Sequence, residues 1–348
     1  MSQKAGFSSV SSSTLANISI ILLVGVLAIV HLKAVIQPLV VATLIFFLIR
    51  PPAQWLEERI GGHPLVAYGV LVSMVMGFLF FASNSMYENM QNFTNEAPEL
   101  EQSLQLKIAW LEDLSIFGYH MDTSALTGLI TIETVNSYAA DFVGTLAGFT
   151  TSFVTVLIFL LFIILEAETL PKRIKAAYPD DVDRIMTVAA GSGEGINTYV
   201  VTRATVAFGQ AIVAAIVLSA MDIPFVFLWA SITFLMDFIP YVGALLSIIP
   251  PILLGLIVLP STTSLLLIAL LVANQQVWGG VIEPQLAGQR LDMSPIVLLL
   301  LVAFWGWAWG IMGMVLGVPL AVIMKIGLES DDRTRPIAMM LSRDPSLD

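Results

Sequence analysis

Residues 225–259 read FVFLWASITFLMDFIPYVGALLSIIPPILLGLIVL, with Asp237 as the one charged side chain. No water-facing surface can be built from such a stretch. Its apolar positions follow one another continuously instead of alternating with polar ones. Backbone groups placed in lipid must be satisfied within the segment, which leaves helices or a closed barrel, and a barrel strand would alternate. Helices are therefore predicted. A crossing helix needs about 20 apolar residues to span a core of about 30 Å, and Phe225–Met236 falls well short of that. Asp237 and Pro240 follow, then Tyr241–Ile249, Pro250-Pro251 and Ile252–Leu259. Proline lacks an N–H and clashes with the preceding turn. The stretch is thus expected to be a kinked, re-entrant hairpin, entering and leaving on the outer face, with Pro250 and Pro251 as hinges.

Outward from this segment the same chemistry holds. The chain has 348 residues, 57% hydrophobic and 12% charged, whereas soluble domains carry roughly 45–50% apolar and about 25% charged residues. The expected fold class is an all-α polytopic membrane protein. It should have five to six full transmembrane helices, two re-entrant or broken hairpins in its C-terminal half, and an extramembrane helical insert. Residues 1–16 are Ser-rich and read as a flexible tail. Residues 17–82 hold transmembrane helices 1–3, built on Ile18–Val30, Val35–Ile49 and Leu65–Ala82, with Arg50-Pro51-Pro52 expected to stop the second. No small-x-small cleavage site follows the first run, so it reads as uncleaved.

Residues 83–143 are acidic, with Lys107 as their single base, and carry Phe93, Ala97, Leu100, Leu104, Ile108 and Leu111 at spacings of three and four. That pattern predicts an amphipathic helix outside the bilayer. Residues 144–166 read as transmembrane helix 4, 167–203 as a cytoplasmic helical connector, and 204–327 as a transmembrane core with hairpins at 225–259 and 296–327. The second hairpin is expected to turn near Gly310–Gly313, because 296–326 is too long for one crossing at about 1.5 Å per residue. Residues 328–348 form a tail. With both termini cytoplasmic and the 83–143 insert outside, every Lys and Arg except Lys33 and Lys107 falls on the inner side, as the positive-inside rule requires.

Several functions are excluded by residue type. Without cysteine there is no thiolate nucleophile, disulfide or Cys-ligated metal, and His31, His63 and His120 are too scattered for a zinc site. No basic face for nucleic acid is present. Gly191–Gly195 lacks the Lys-Ser/Thr of a phosphate-binding loop and reads as a flexible helix joint. No cofactor, metal or catalytic residue is expected, and the chain does not read as an enzyme.

The candidate pathway residues lie in the interrupted segments, because unwound backbone at membrane depth is tolerated only where it is buried in protein or lines a cavity. A carboxylate at the bilayer centre costs about 2.5–3.5 kcal/mol on insertion scales. Asp237 is therefore either a proton- or cation-linked position or an interfacial cap of the helix after Pro240. Pro240 frees carbonyls beside it, and Gly243 allows another helix to approach. Ala269, Ala273, Gln276, Gly280 and Glu283 share one helical face, which either packs against a helix or lines an aqueous path. Glu283-Pro284 is expected to end that helix as a hinge, leaving Glu283 as a gate or as the partner of Arg290. Gly310 and Gly313 mark the turn of the second hairpin.

Three strings carry a family resemblance: FVFLWASITFLMDFIPYVGALLSIIPP at 225–251, VIEPQLAGQRLDMSP at 281–295, and FWGWAWGIMGMVLGVPLAVIMKI at 304–326. Together they resemble the AI-2E family of bacterial permease-like proteins, named for export of the quorum-sensing signal autoinducer-2. The resemblance points to Trp229, Asp237, Ile239, Pro240 and Gly243, to Glu283, Pro284 and Gly288, and to Gly306, Gly310, Gly313 and Pro319. Many members carry Asn where this chain has Asp237. It implies a multi-pass protein of the bacterial inner membrane that exports a small polar metabolite by secondary transport, with autoinducer-2 as candidate. A sodium/proton antiporter is the alternative within the family, and a non-transporting membrane scaffold is the alternative outside it. The expected partners are the lipid bilayer, a small polar metabolite or cation, and further copies of the chain in a homo-oligomer, with a pentamer the expected size.

Overall fold

The computed structural model describes residues 12–60, 64–113, 153–287 and 293–343, with the single positions 137, 141 and 144. The expectations for 1–11, for most of 114–152, for Gly288 and Arg290 and for 344–348 lie outside the described residues. Every regular element among the described residues is helical. The helices are α1 (Ser12–His31), α2 (Lys33–Ile60) and α3 (Pro64–Asp113), then α4 (Phe153–Glu166) and α5 (Leu170–Ala177). They continue with α6 (Val182–Ala220), α7 (Val226–Met236), α8 (Val242–Val258) and α9 (Ser261–Val277). After a π-helical turn at Trp278–Ile282 come α10 (Glu283–Ala287), α11 (Pro295–Trp309), α12 (Ile311–Glu329) and α13 (Arg335–Leu341). Among the described residues five helices are long and apolar enough to cross a membrane, or six when α4 and α5, bent by 63°, count as one span. The chain is an all-α polytopic membrane protein.

α6 organises the interior. At 39 residues it is about 58 Å long at 1.5 Å per residue, and its buried stripe touches two separate cores. Near its C-terminal end, Ala214 and Leu218 join Met90, Leu228, Trp229, Leu254, Leu267 and Leu271. Near its N-terminal end, Ile196 packs with Leu44, Trp305, Trp309 and Leu316. Between the two, Tyr199 packs with Ile239, Val302 and Val318. The first core is built on α7 and α8, which fold back on each other so that Trp229 meets Leu254. The second is built on α11 and α12, which reverse at Gly310 (φ 69°, ψ −148°), a conformation open to glycine and strained for other residues.

Four boundaries differ from the sequence reading, each because packing outweighs a local signal. Pro51 and Pro52 do not stop α2, which continues to Ile60. Each proline removes only one N–H, and the turn that follows is held by Ala53, buried at 1% exposure. α3 runs through the expected break at 82/83. Of the apolar positions predicted for a separate insert, Phe93 and Leu100 pack on the α6–α8 core, Ala97 is buried, and Phe93 stands edge-on to Phe225 and Trp229 at centroid distances of 5.3 and 5.6 Å. Lys107 then donates to the carbonyls of Leu256 and Leu259 at the end of α8. The glycine run at 191–195 is not a joint, and the boundary at 203/204 falls within one helix. Glycine costs about 1 kcal/mol in a helix relative to alanine. Here it admits close neighbours: a Cβ at Gly193 would lie 2.7 Å from the Phe47 ring, and one at Gly195 would lie 2.8 Å from Val322. Finally, Pro284 does not end its helix, since α10 continues to Ala287.

The N-terminal end of α6 is latched to the segment after α12. Arg184 pairs with Asp331 at 2.9 Å and with Asp181 at 3.3 Å, and the Arg333 backbone N–H donates to Asp331 at 2.9 Å. That N–H first, and the Arg184 guanidinium after it, hold the Asp331 carboxyl below the usual carboxylate range. A depressed carboxylate contributes stability above its unfolded pKa and loses it as pH falls through the folded value. Acidification below the usual carboxylate range is therefore expected to release this latch, seen as faster amide exchange at 327–335 while exchange within α9 stays unchanged.

Candidate functional site

The buried face of α6 repeats at three and four residues through Ile196, Tyr199, Arg203, Val206, Ala207, Gln210, Ala211 and Ala214. This places a cation, Arg203, inside a largely apolar interior at 8% exposure. Its Nη1 lies 2.5 Å from Glu283 Oε2. Its Nε donates to the Asp237 carbonyl at 2.5 Å and stands 3.8 Å from Asp237 Oδ2. Two carboxyl groups thus share one guanidinium, so the cluster holds one acid more than it has bases. Asp237 is 4% exposed, and its Oδ2 has no hydrogen-bond partner, as is also true of the Tyr199 hydroxyl one turn before Arg203.

Both acids reach Arg203 through irregular backbone. Asp237 ends α7 and makes no side-chain cap to α8, which starts after Tyr241 at φ 64°. The intervening joint is held by Ile239 N–H donating to Met236 O at 2.8 Å, Val242 N–H to Pro240 O at 2.7 Å and Gly243 N–H to Ile239 O at 2.9 Å. A Cβ at Gly243 would overlap the Met236 carbonyl, so the joint closes only on glycine. Ile239, between Asp237 and Pro240, is buried against Val302 and Val318, and this joins the first broken hairpin to the second.

Glu283 arrives by a different route. Along α9 the core-facing positions are Ser264, Leu267, Leu271 and Asn274, while Ala269, Ala273, Gln276 and Gly280 are exposed. A regular helix would have carried Glu283 outward with Gln276 and Gly280. The π-turn at Trp278–Ile282 inserts one extra residue, a rotation of about 100° in a helix of 3.6 residues per turn. It swings Glu283 back onto Arg203. The expected stripe therefore divides, with its acid in the site and Gln276 and Gly280 outside it.

The remaining candidates occupy supporting places. The chain is helical through Pro250, Pro251 and Pro284. Along α6 and α12, Gly191 approaches Ile326, Gly195 approaches Val322 and Ile326, and Tyr199 packs with Val318. The helices are antiparallel, and the same register sets Met314 at the level of Arg203 and the Gly310 tip one turn beyond it. At that tip a Cβ on Gly313 would overlap the Trp305 carbonyl.

Arg203, Tyr199, Gln210 and Asn274 were not legible as site residues. Arg203 reads as the inner end of a span under the positive-inside rule, although apolar residues continue on both sides of it, and that continuity is the signal that marks it as buried. Asn274 Nδ2 donates to the Gln210 carbonyl at 3.0 Å, and Gln275 Nε2 donates to Ser247 Oγ at 2.8 Å and to the Ala244 carbonyl at 3.0 Å. Three consecutive polar residues on α9 thus point toward α6, toward α8 and outward.

The family model described as AI-2E family transporter matches residues 18–330. The chain is 26% identical over 339 residues to the "AI-2 transport protein TqsA" of Escherichia coli strain K12, covering 94% of this chain and 97% of that one. It is 25% identical over 321 residues to the "Putative transport protein YhhT" of the same organism, covering 92% and 91%.

Proposed function

Since the chain belongs to the AI-2E transporter family, we propose that it is a secondary transporter exporting a small polar metabolite, with autoinducer-2 as candidate cargo, across the bacterial inner membrane. The observation that carries this reading is Arg203 held between Asp237 and Glu283. Burying ions costs desolvation that an apolar replacement would avoid. This cluster ties α6 to the two irregular breaks, the joint at 237–241 and the π-turn. Its surplus carboxylate gives a proton or cation a place to bind. Neutralising that charge weakens one of the two bridges to Arg203 and lets a broken hairpin move against α6, which links ion binding to access. The outward stripe of Ala269, Ala273, Gln276 and Gly280 has the small and polar composition of helix-packing faces. It supports a homo-oligomer, with a pentamer the expected size.

The same surplus charge supports ion exchange alone as the second reading. Purified protein in liposomes separates the two when autoinducer-2 flux is followed with and without sodium and proton gradients. Wild type is expected to show gradient-driven flux. Asp237→Asn is expected to lose about 5–150-fold of that stimulation, the range of an ordinary coupling free energy. Ion exchange without signal flux would replace the exporter reading by the antiporter, and flux indifferent to Asp237→Asn would remove the cluster from coupling.

A further inference from the structure

Beyond the charged cluster, α6 and α9 enclose a second polar pair. Gln210 is 1% and Asn274 7% exposed. Asn274 Nδ2 bonds to the Gln210 backbone carbonyl at 3.0 Å, which leaves Gln210 Oε1 and Nε2 and Asn274 Oδ1 buried without partners. An unpaired buried amide is destabilising, and an apolar residue of similar shape would serve packing better. These positions are not filled for packing alone.

The unpaired atoms define a chemistry. Two carbonyl oxygens accept and one amide nitrogen donates, and no charged group belongs to the pair. Arg203 lies seven residues back on α6, about 10 Å along its axis. A bare cation would use the oxygens and leave the amide N–H groups idle, while a carboxylate or phosphate would face two oxygens. A hydroxyl donates and accepts at once and matches the set. One turn beyond Asn274, Trp278 lies against Gly209, where a Cβ would overlap its ring. The outer edge of the indole ring is thereby seated on α6 at the residue before Gln210, an aromatic neighbour in the helical turn adjoining each member of the pair.

We propose that Gln210 and Asn274 form a recognition site for a neutral, hydroxyl-bearing solute, set two turns of α6 from the charged cluster. The proposal deepens the transport reading and rests on it for the solute's route to this depth. Binding is tested apart from transport, with purified full-length protein in nanodiscs and ribose, autoinducer-2, sodium chloride and sodium gluconate as probes, by calorimetry and thermal unfolding. Wild type is expected to bind ribose or autoinducer-2 and to unfold later in its presence. Gln210→Met and Asn274→Leu are each expected to weaken that binding at least about tenfold, the loss of roughly one hydrogen bond. Without solute, Gln210→Met should unfold no earlier than wild type and Asn274→Leu, which loses the bond to the Gln210 carbonyl, somewhat earlier, and Asp237→Asn should bind as wild type does. Two separate variants keep a single misfolded protein from deciding the result. Neutral-solute binding unchanged in both variants overturns the site. So does binding of sodium or gluconate alone that both variants abolish. Absence of any neutral-solute binding by wild type that still exports autoinducer-2 overturns it too, with the transport reading intact. Binding as expected without flux removes the transport reading and leaves the site.

Discussion

Arg203→Met is expected to destabilise the protein by about 3–5 kcal/mol, the cost of removing one partner from a buried ion pair. The substitution preserves the length of the aliphatic stem and removes the only cation in the cluster. Buried Asp237 and part-exposed Glu283 then lose the counter-charge they share, and the Asp237 carbonyl loses its donor. Most of the loss is the stranded charge and not the pair's own net worth. The triple variant Arg203→Met, Asp237→Asn, Glu283→Gln is therefore expected to recover most of the stability while remaining inactive in gradient-driven flux. Arg203→Lys should fall between wild type and methionine, because an ammonium lacks the planar fork that spans two acceptors. Thermal unfolding in detergent, followed by far-ultraviolet circular dichroism, orders the series. A triple variant no more stable than Arg203→Met would show that packing, not charge, dominates the position.

Gly243→Ala is the second substitution with a large expected effect. Its Cβ would overlap the Met236 carbonyl oxygen, and that atom belongs to the backbone of the joint that positions Asp237. No rotamer change can relieve the contact, so the joint itself must open. Overpacking of this kind costs typically 1–3 kcal/mol and more when backbone must move. The shift falls on the segment that brings Asp237 to Arg203, so flux should drop further than stability alone explains. Gly313→Ala, against the Trp305 carbonyl, is expected to behave likewise in the second hairpin. Gly69→Ala is the control: its Cβ meets nothing within 4 Å, and in a helix interior alanine is favoured over glycine. A Gly243→Ala protein with wild-type melting and flux would mean that the joint is soft and does not position the acid.

How much of this was legible depended on whether the governing interaction is local. Continuous apolar runs and the scarcity of charge pointed to a helical membrane protein, because lipid admits only helices or a closed barrel and barrel strands would alternate. The short run before Asp237 and the glycines at 310 and 313 marked both breaks, because run length and backbone permissiveness are properties of a few adjacent residues. The strings at 225–251, 281–295 and 304–326 pointed to the family.

Other features depended on residues far apart in the chain. Pro51-Pro52 and the glycines at 191–195 read as breaks because their penalties are local. The burial of Ala53 and the contacts of Gly193 and Gly195 with Phe47 and Val322, which outweigh those penalties, are set by tertiary packing. Gln276 and Glu283 share a face in any regular helix, and only the π-turn, which spacing does not announce, separates them. Arg203 met its two acids only when α6 was laid against the α7–α8 joint and α10. Composition and run length set what could be buried and roughly where the helices break. The tertiary structure decided which polar groups are buried together, because those pairings depend on helix rotation and on contacts between segments far apart in the chain.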